Sequence, residues 1–253
     1  MNKILIAAAT LAAFATTSYA ADLPARMPVK AMPAPVAMTW TGCYVGAGGG
    51  YGMWNQDHRT TDAAGAVPGG SSTLSSTTGG RGWFGTAQLG CDYQFDQNWL
   101  VGAFVDANWG SLSGNFEDNF FQFGREKERW SWAAGGRVGY LINPSFLAYA
   151  SAGFTEAHFN GINTTTTVGG VPAGLNYARH SYEGYFIGTG YEYRLAWLPG
   201  FTWKTEYRAS DFGRENVPLL FAGGTATPFT MSSHKYEQTI RSELVWRFNS
   251  WIR

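Results

Sequence analysis

From Trp40 onward the chain alternates apolar and polar residues with a period of two, and it does so almost to its end. In one stretch Trp83, Gly85, Ala87, Leu89, Cys91, Tyr93 and Phe95 fall on one face. Phe84, Thr86, Gln88, Gly90, Asp92 and Gln94 fall on the other. The next stretch sets Trp99, Val101, Ala103, Val105, Ala107 and Trp109 against Leu100, Gly102, Phe104, Asp106 and Asn108. Successive side chains of a strand point to opposite faces, so the pattern predicts strands with one apolar and one polar face. Eight segments follow it: Trp40–Trp54, Gly82–Phe95, Trp99–Leu112, Arg129–Ile142, Phe146–Phe159, Tyr182–Leu195, Phe201–Gly213 and His234–Phe248. Each is long enough to cross a bilayer core as a tilted strand, which takes about ten residues.

The connections sharpen the prediction. Asp96-Gln97-Asn98, Asn143-Pro144-Ser145 and Ala196 to Gly200 read as short turns. Asn55–Arg81, Ser113–Glu128, Asn160–Ser181 and Arg214–Ser233 read as long loops. Long and short alternate strictly, as they do in outer-membrane barrels with short periplasmic turns and long external loops. The expected fold is all-β, an eight-stranded antiparallel transmembrane β-barrel. A soluble barrel would turn its apolar face inward. Here the polar face carries balanced charges and the apolar face is rimmed by aromatics. Trp40, Tyr93, Phe95, Trp99, Tyr140, Phe146, Trp197, Trp203, Trp246 and Phe248 are expected near the periplasmic interface. Trp54, Trp83, Trp109, Trp130 and Phe159 are expected near the outer one.

The polar face predicts what fills the barrel. It holds Asp92, Asp106, Arg137, Glu192, Arg194, Lys204, Glu206, Arg208, Arg241, Glu243 and Arg247. Eight strands enclose a space just wide enough for side chains. Charges there leave most of their water, so they must pair. The reading is a structural plug; the alternative is an ion path. Gly46, Gly48, Gly50 and Gly52 on the same face of the first strand are expected to leave room for long Arg and Lys side chains.

The N-terminus changes where the chain is placed. Lys3, the apolar run Ile4 to Phe14 and the small-residue site Ser18-Tyr19-Ala20 read as an export signal over 1–20. A leader rich in Pro and Ala, residues 21–39, is expected to lie in the periplasm ahead of a barrel over 40–248, with a C-terminal extension at 249–253. Basic and acidic residues number 18 each, so no overall charge draws the chain to nucleic acid. The two cysteines, Cys43 and Cys91, sit in an exported chain, where a disulfide can form. Setting them opposite each other in the first hairpin puts Val45 against Leu89, Ala47 against Ala87 and Tyr51 against Trp83, all on the apolar face. A slip of two residues would keep the faces and part the sulfurs.

Trp40-Thr41-Gly42-Cys43-Tyr44-Val45-Gly46 resembles the W-T-G-x-Y-V-G opening of the small outer-membrane barrels of alphaproteobacteria. Gly188-Thr189-Gly190-Tyr191-Glu192-Tyr193 is similar to their G-x-G-x-E-Y strand. Lys204-Thr205-Glu206-Tyr207-Arg208, followed by Asp211-Phe212-Gly213, is similar to their K-x-E-Y-x-x-x-D-x-G strand. The resemblance spans essentially the whole mature chain. It implies the family of outer-membrane immunogenic, porin-like proteins, some of which bind haemin. It also implies the eight-stranded fold and a place in the cell outer membrane. Such barrels end on an aromatic residue read by the assembly machinery; Phe248 stands there, but Asn249 to Arg253 follow.

The functional expectation is a structural outer-membrane barrel with surface-exposed loops and a largely plugged lumen. Its partners would be outer-membrane lipid and, during insertion, the barrel-assembly machinery, with no nucleic acid and no cofactor. The alternative is a surface receptor for haemin or another small ligand. His58, His158, His180 and His234 all fall in loops or at outer strand ends, and His158 and His180 flank one loop. Imidazole ligates haem iron, but no recognised metal spacing is present. An enzyme acting on lipid is not expected. His180, Ser181 and Glu183 are close in sequence, yet neighbours on a strand face opposite ways.

Overall fold

The computed structural model describes residues 39–62, 75–118, 122–166, 168 and 170–248. The export signal, nearly all of the leader and the tail after Phe248 lie outside the described residues. Ten strands form: β1 (Gly42–Asp62), β2 (Ser76–Gln94), β3 (Trp99–Asp118), β4 (Gln122–Asn143), β5 (Phe146–Phe159), β6 (Ile162–Thr165), β7 (Pro172–Tyr177), β8 (His180–Arg194), β9 (Phe201–Phe221) and β10 (Ala226–Phe248). Eight of them close a ring in the order β1-β2-β3-β4-β5-β8-β9-β10, with β10 paired back to β1. Every pairing in the ring is antiparallel. Closure leaves no unpaired edge in the wall, which a lipid environment demands of a sheet.

β5 has the expected limits and β8 begins only two residues before its expected start, but β1 to β4, β9 and β10 run on past the outer interface. Much of what reads as long loop is therefore strand. Residues 113–118 and 122–127 pair with each other as the continuation of β3 and β4. Residues 55–58 and 76–79 do the same for β1 and β2. Above the short β5 and β8 the wall is continued by the β6–β7 hairpin. There Thr165 meets Phe123 of β4, and Leu175 to Tyr177 pair with Phe221 to Leu219 of β9.

Inside and outside follow the alternation. Ile187 is 70% exposed and Ile240 54%, whereas Arg241 is 2% exposed. Leu89, Val101, Val105, Val138 and Leu244 join the exposed apolar wall. Trp83, Tyr93, Phe95, Trp99, Trp109, Tyr140, Trp197, Trp203 and Trp246 also face outward. Three expected belt residues do not. Trp40, Trp54 and Phe159 are buried inside. Trp54 shares the even-numbered inner face of β1, and Phe159 the odd-numbered inner face of β5, so their parity places them in the lumen. Trp40 precedes β1 and folds under the barrel, where its Nε1 donates to the Pro144 carbonyl at 3.2 Å.

The inner glycines of β1 also differ from expectation. A Cβ on Gly48 would lie 2.0 Å from the Ser242 carbonyl oxygen and 2.7 Å from Glu243 Cα. These are backbone atoms of β10, so Gly48 permits a close approach of strands rather than room for a long side chain. At Gly50 the space is filled by the Phe84 ring and at Gly52 by Leu112. The glycines thus make room for apolar plugs and for closure of the ring.

Candidate functional site

The lumen is filled by side chains in successive layers. At the periplasmic end Arg137 of β4 donates Nε to Asp92 at 2.8 Å and Nη1 to Glu192 at 3.2 Å. Arg247 of β10 reaches the same two carboxylates, at 2.8 Å from Asp92 and 2.9 Å from Glu192. Both guanidinium groups stack on the Tyr44 ring, at 4.7 and 4.9 Å from its centre. Thr202 donates to Glu192 at 2.5 Å, and Trp40 lies against Arg247 to close the mouth. This layer ties β2, β4, β8 and β10 together across the barrel.

A second layer sits above it. Lys204 meets Glu243 at 3.0 Å and Glu206 at 3.4 Å, and donates to Gln88. Arg208 forks onto Asp106 with bonds of 3.2 and 2.8 Å. Arg241 stands 3.0 Å from Asp106, and Tyr149 donates to Glu206 at 2.9 Å. Phe104 and Phe186 pack beside these cations. Desolvated ions of this kind survive only where opposite charge and hydrogen bonds replace water. Strand alternation puts each of these groups on the inner face.

Of the lumen residues expected from sequence, Arg194 alone is not buried. Its Nη2 donates to the Thr39 carbonyl at the periplasmic rim. The structure adds a third layer that the sequence reading missed. Lys235 is fully buried, 2.8 Å from Glu126, and donates to Gln56. Its ammonium lies 4.2 Å from the centres of the Trp54 and Phe159 rings. Glu128 and Glu237 are buried as well. Lys235 and Glu237 share odd parity with Arg241 and Arg247, which is a usable signal. Glu126 and Glu128 lie beyond a bulge at Arg129 and Trp130 that reverses parity, which hides them from the pattern.

The filling continues above the membrane interface. Phe116, Ile162, Tyr177, Val217, Leu219 and Met231 form an apolar cap. Asp118 accepts hydrogen bonds from Thr60 at 2.6 Å and Tyr177 at 3.1 Å. Burial beside Asp118 raises the Tyr177 phenol well above its ordinary value. His58 stacks on Phe116 with ring centres 4.9 Å apart.

His158 and His180 both border one cleft at the outer rim, but their rings bond to different partners. His158 is on the outward face, stacked on Trp130 at 3.8 Å and 3.2 Å from Glu156. His180 points inward, with Nδ1 2.9 Å from the Ala178 carbonyl and Nε2 3.2 Å from Glu126. Ser181 and Glu183 lie on the opposite face from His180, since Tyr182 between them is buried. Among the described residues no group of three or more His, Cys, Asp or Glu is placed to hold a metal ion. Cys43 and Cys91 face each other in the register that also pairs Val45 with Leu89, Ala47 with Ala87 and Tyr51 with Trp83. Their sulfurs are joined, with Cα atoms 3.9 Å apart.

Known outer-membrane proteins are similar to this chain in sequence. The 31 kDa outer-membrane immunogenic protein of Brucella melitensis biotype 1 is 27% identical over 222 residues, 85% of this chain and 89% of that protein. The 25 kDa outer-membrane immunogenic protein of Brucella abortus biovar 1 is 26% identical over 221 residues, 87% of this chain and 88% of that one. Among solved structures, the outer membrane protein OprG from Pseudomonas aeruginosa aligns with a TM-score of 0.48 at 12% identity, covering 82% of this chain and 97% of that chain. Residues 6–248 match the family model described as the outer membrane protein beta-barrel domain. With a closed ring, an apolar wall and that match over nearly its whole length, the chain belongs to the outer membrane β-barrel family and resides in the cell outer membrane.

Proposed function

We propose that this protein is a structural barrel of the outer membrane, with a plugged lumen and outer strand ends displayed at the cell surface. The observation that carries the reading is the cross-bracing of the lumen. Arg137 and Arg247 share Asp92 and Glu192, and Arg208 and Arg241 share Asp106. A diffusing ion would have to break these contacts, and each broken pair strands a desolvated charge. The relatives are called immunogenic, which suits a chain whose strands and β6–β7 hairpin extend beyond the lipid-facing wall. Phe248 ends β10 opposite Cys43, in keeping with an aromatic strand end that the assembly machinery reads.

Liposome swelling tests the proposal. Vesicles carrying the purified barrel are expected to swell in isotonic small sugar no faster than empty vesicles. Swelling at a rate that scales with protein content and falls with sugar size would contradict the plug.

A further inference from the structure

The outer wall carries a basic band just beyond the exposed Trp83, Trp109 and half-exposed Trp130. Arg125, Lys127 and Arg129 lie on the outward side of β4, between the inward Glu126 and Glu128. Neighbouring strands extend the band sideways. Lys127 pairs with Ser113 of β3, and Ser113 with Arg81 of β2. Arg179 leads into β8. Arg129 and Arg179 line a cleft of about 300 Å³ whose other walls include Trp130, His158 and Asn160.

The cations of the lumen layers meet carboxylates. Among the described residues these five form no ion pair. Arg125 reaches only the Ser113 hydroxyl, at 3.4 Å. The outward carboxylates nearby are Glu117, Glu156 and Glu183. Glu117 lies toward the strand tips opposite Phe123. Glu156 accepts from Trp132 Nε1 at 2.9 Å and contacts His158, and it pairs across strands with Glu183 on the membrane side of the cleft. Glu117 borders the band one diagonal step above Arg125 without an ion pair to it, and Glu156 and Glu183 lie below the band.

We propose that this band is a binding site for the phosphate groups of an anionic glycolipid in the outer leaflet. Three features select that ligand. Unpaired guanidinium groups fork onto phosphate oxygens. The band begins where the aromatic belt ends, which is the depth of lipid headgroups. The half-exposed stack of Trp130 on His158 offers a flat face for a sugar ring beside those phosphates.

Native mass spectrometry of the full chain in detergent tests the site. The probes are bisphosphorylated lipid A, its dephosphorylated form and inorganic phosphate. Wild type and an R59Q variant, which loses a cation on β1 six residues beyond Met53, the partner of Arg81, are expected to retain bisphosphorylated lipid A. An R125Q/R129Q variant is expected to retain it roughly thirtyfold more weakly, at about fivefold per basic residue. Equal loss in both variants, equal retention of the dephosphorylated lipid, or equal affinity for inorganic phosphate would overturn the assignment. A second measurement needs no variant. In phosphatidylcholine vesicles, added lipid A should protect Arg125, Arg129 and Arg179 of wild type from phenylglyoxal. Unchanged labelling would overturn the proposal even if the variant fails to fold.

Discussion

Arg137 shows what holds a charge inside this wall. It is buried, bonded to Asp92 and Glu192, and stacked on Tyr44. Arg137→Ala would leave Asp92 and Glu192 sharing Arg247 alone. Losing one member of a buried ion pair costs about 3–5 kcal/mol, so the denaturant midpoint of the variant should fall by a matching amount. A midpoint equal to wild type would mean that water reaches this layer. His58 carries a different prediction. Burial holds its ring below the ordinary histidine value, against the backbone bond to Glu117 and the charges of Asp118 and Glu126, with Lys235 adding to the lowering. The Glu117 carbonyl can only accept, so Nε2 donates to it, at 3.0 Å. The folded rim therefore binds fewer protons than the unfolded chain. This contribution is present above pH about 6.5 and is lost as pH falls through the depressed folded value. Amide exchange at Phe116 to Asp118, corrected for intrinsic rates, should speed up on acidification in wild type and less so in His58→Gln. Identical pH profiles would refute the linkage.

At the scale of strands, the Cys43–Cys91 bridge fixes the register of the β1–β2 hairpin. The bridge closes a loop with a sequence separation of 48 residues. In the chain-entropy model such a loop contributes about 4 kcal/mol, by restricting the unfolded chain. Reductant should therefore lower the midpoint of wild type and leave Cys43→Ser/Cys91→Ser unchanged. A wild-type midpoint insensitive to reductant would show that the bond adds nothing. The register was readable up to a slip of two residues, which also keeps Val45, Leu89, Ala47 and Ala87 on the apolar face; the structure takes the one that opposes the cysteines. β5 was readable to the residue, since Phe146–Phe159 alternates throughout. The outer ends of β1 to β4 were not. Beyond the lipid the outward residues turn polar, as at Asn55, Asp57 and Arg59, while Gln56, His58 and Thr60 stay inward. Both faces are then polar and the period of two vanishes from the hydropathy, although the strand continues. Lys235 was readable by parity with Arg241, and Glu126 was hidden by the bulge at Arg129 and Trp130.

At the scale of the molecule, a single closed wall holds two kinds of interior. Within the membrane, layers of ion pairs brace opposite strands. Above it, Phe116, Tyr177, Val217 and Met231 make an apolar cap like the core of a soluble protein. The apolar wall and aromatic rims explain residence in lipid, and on the function proposed above the filled interior would separate this barrel from a pore. Conductance of the purified protein across a planar bilayer tests that claim most directly. Wild type should give no stable channel, only a current indistinguishable from the bare membrane. Large, long-lived, uniform conductance steps from wild type would show an open lumen and contradict the plug.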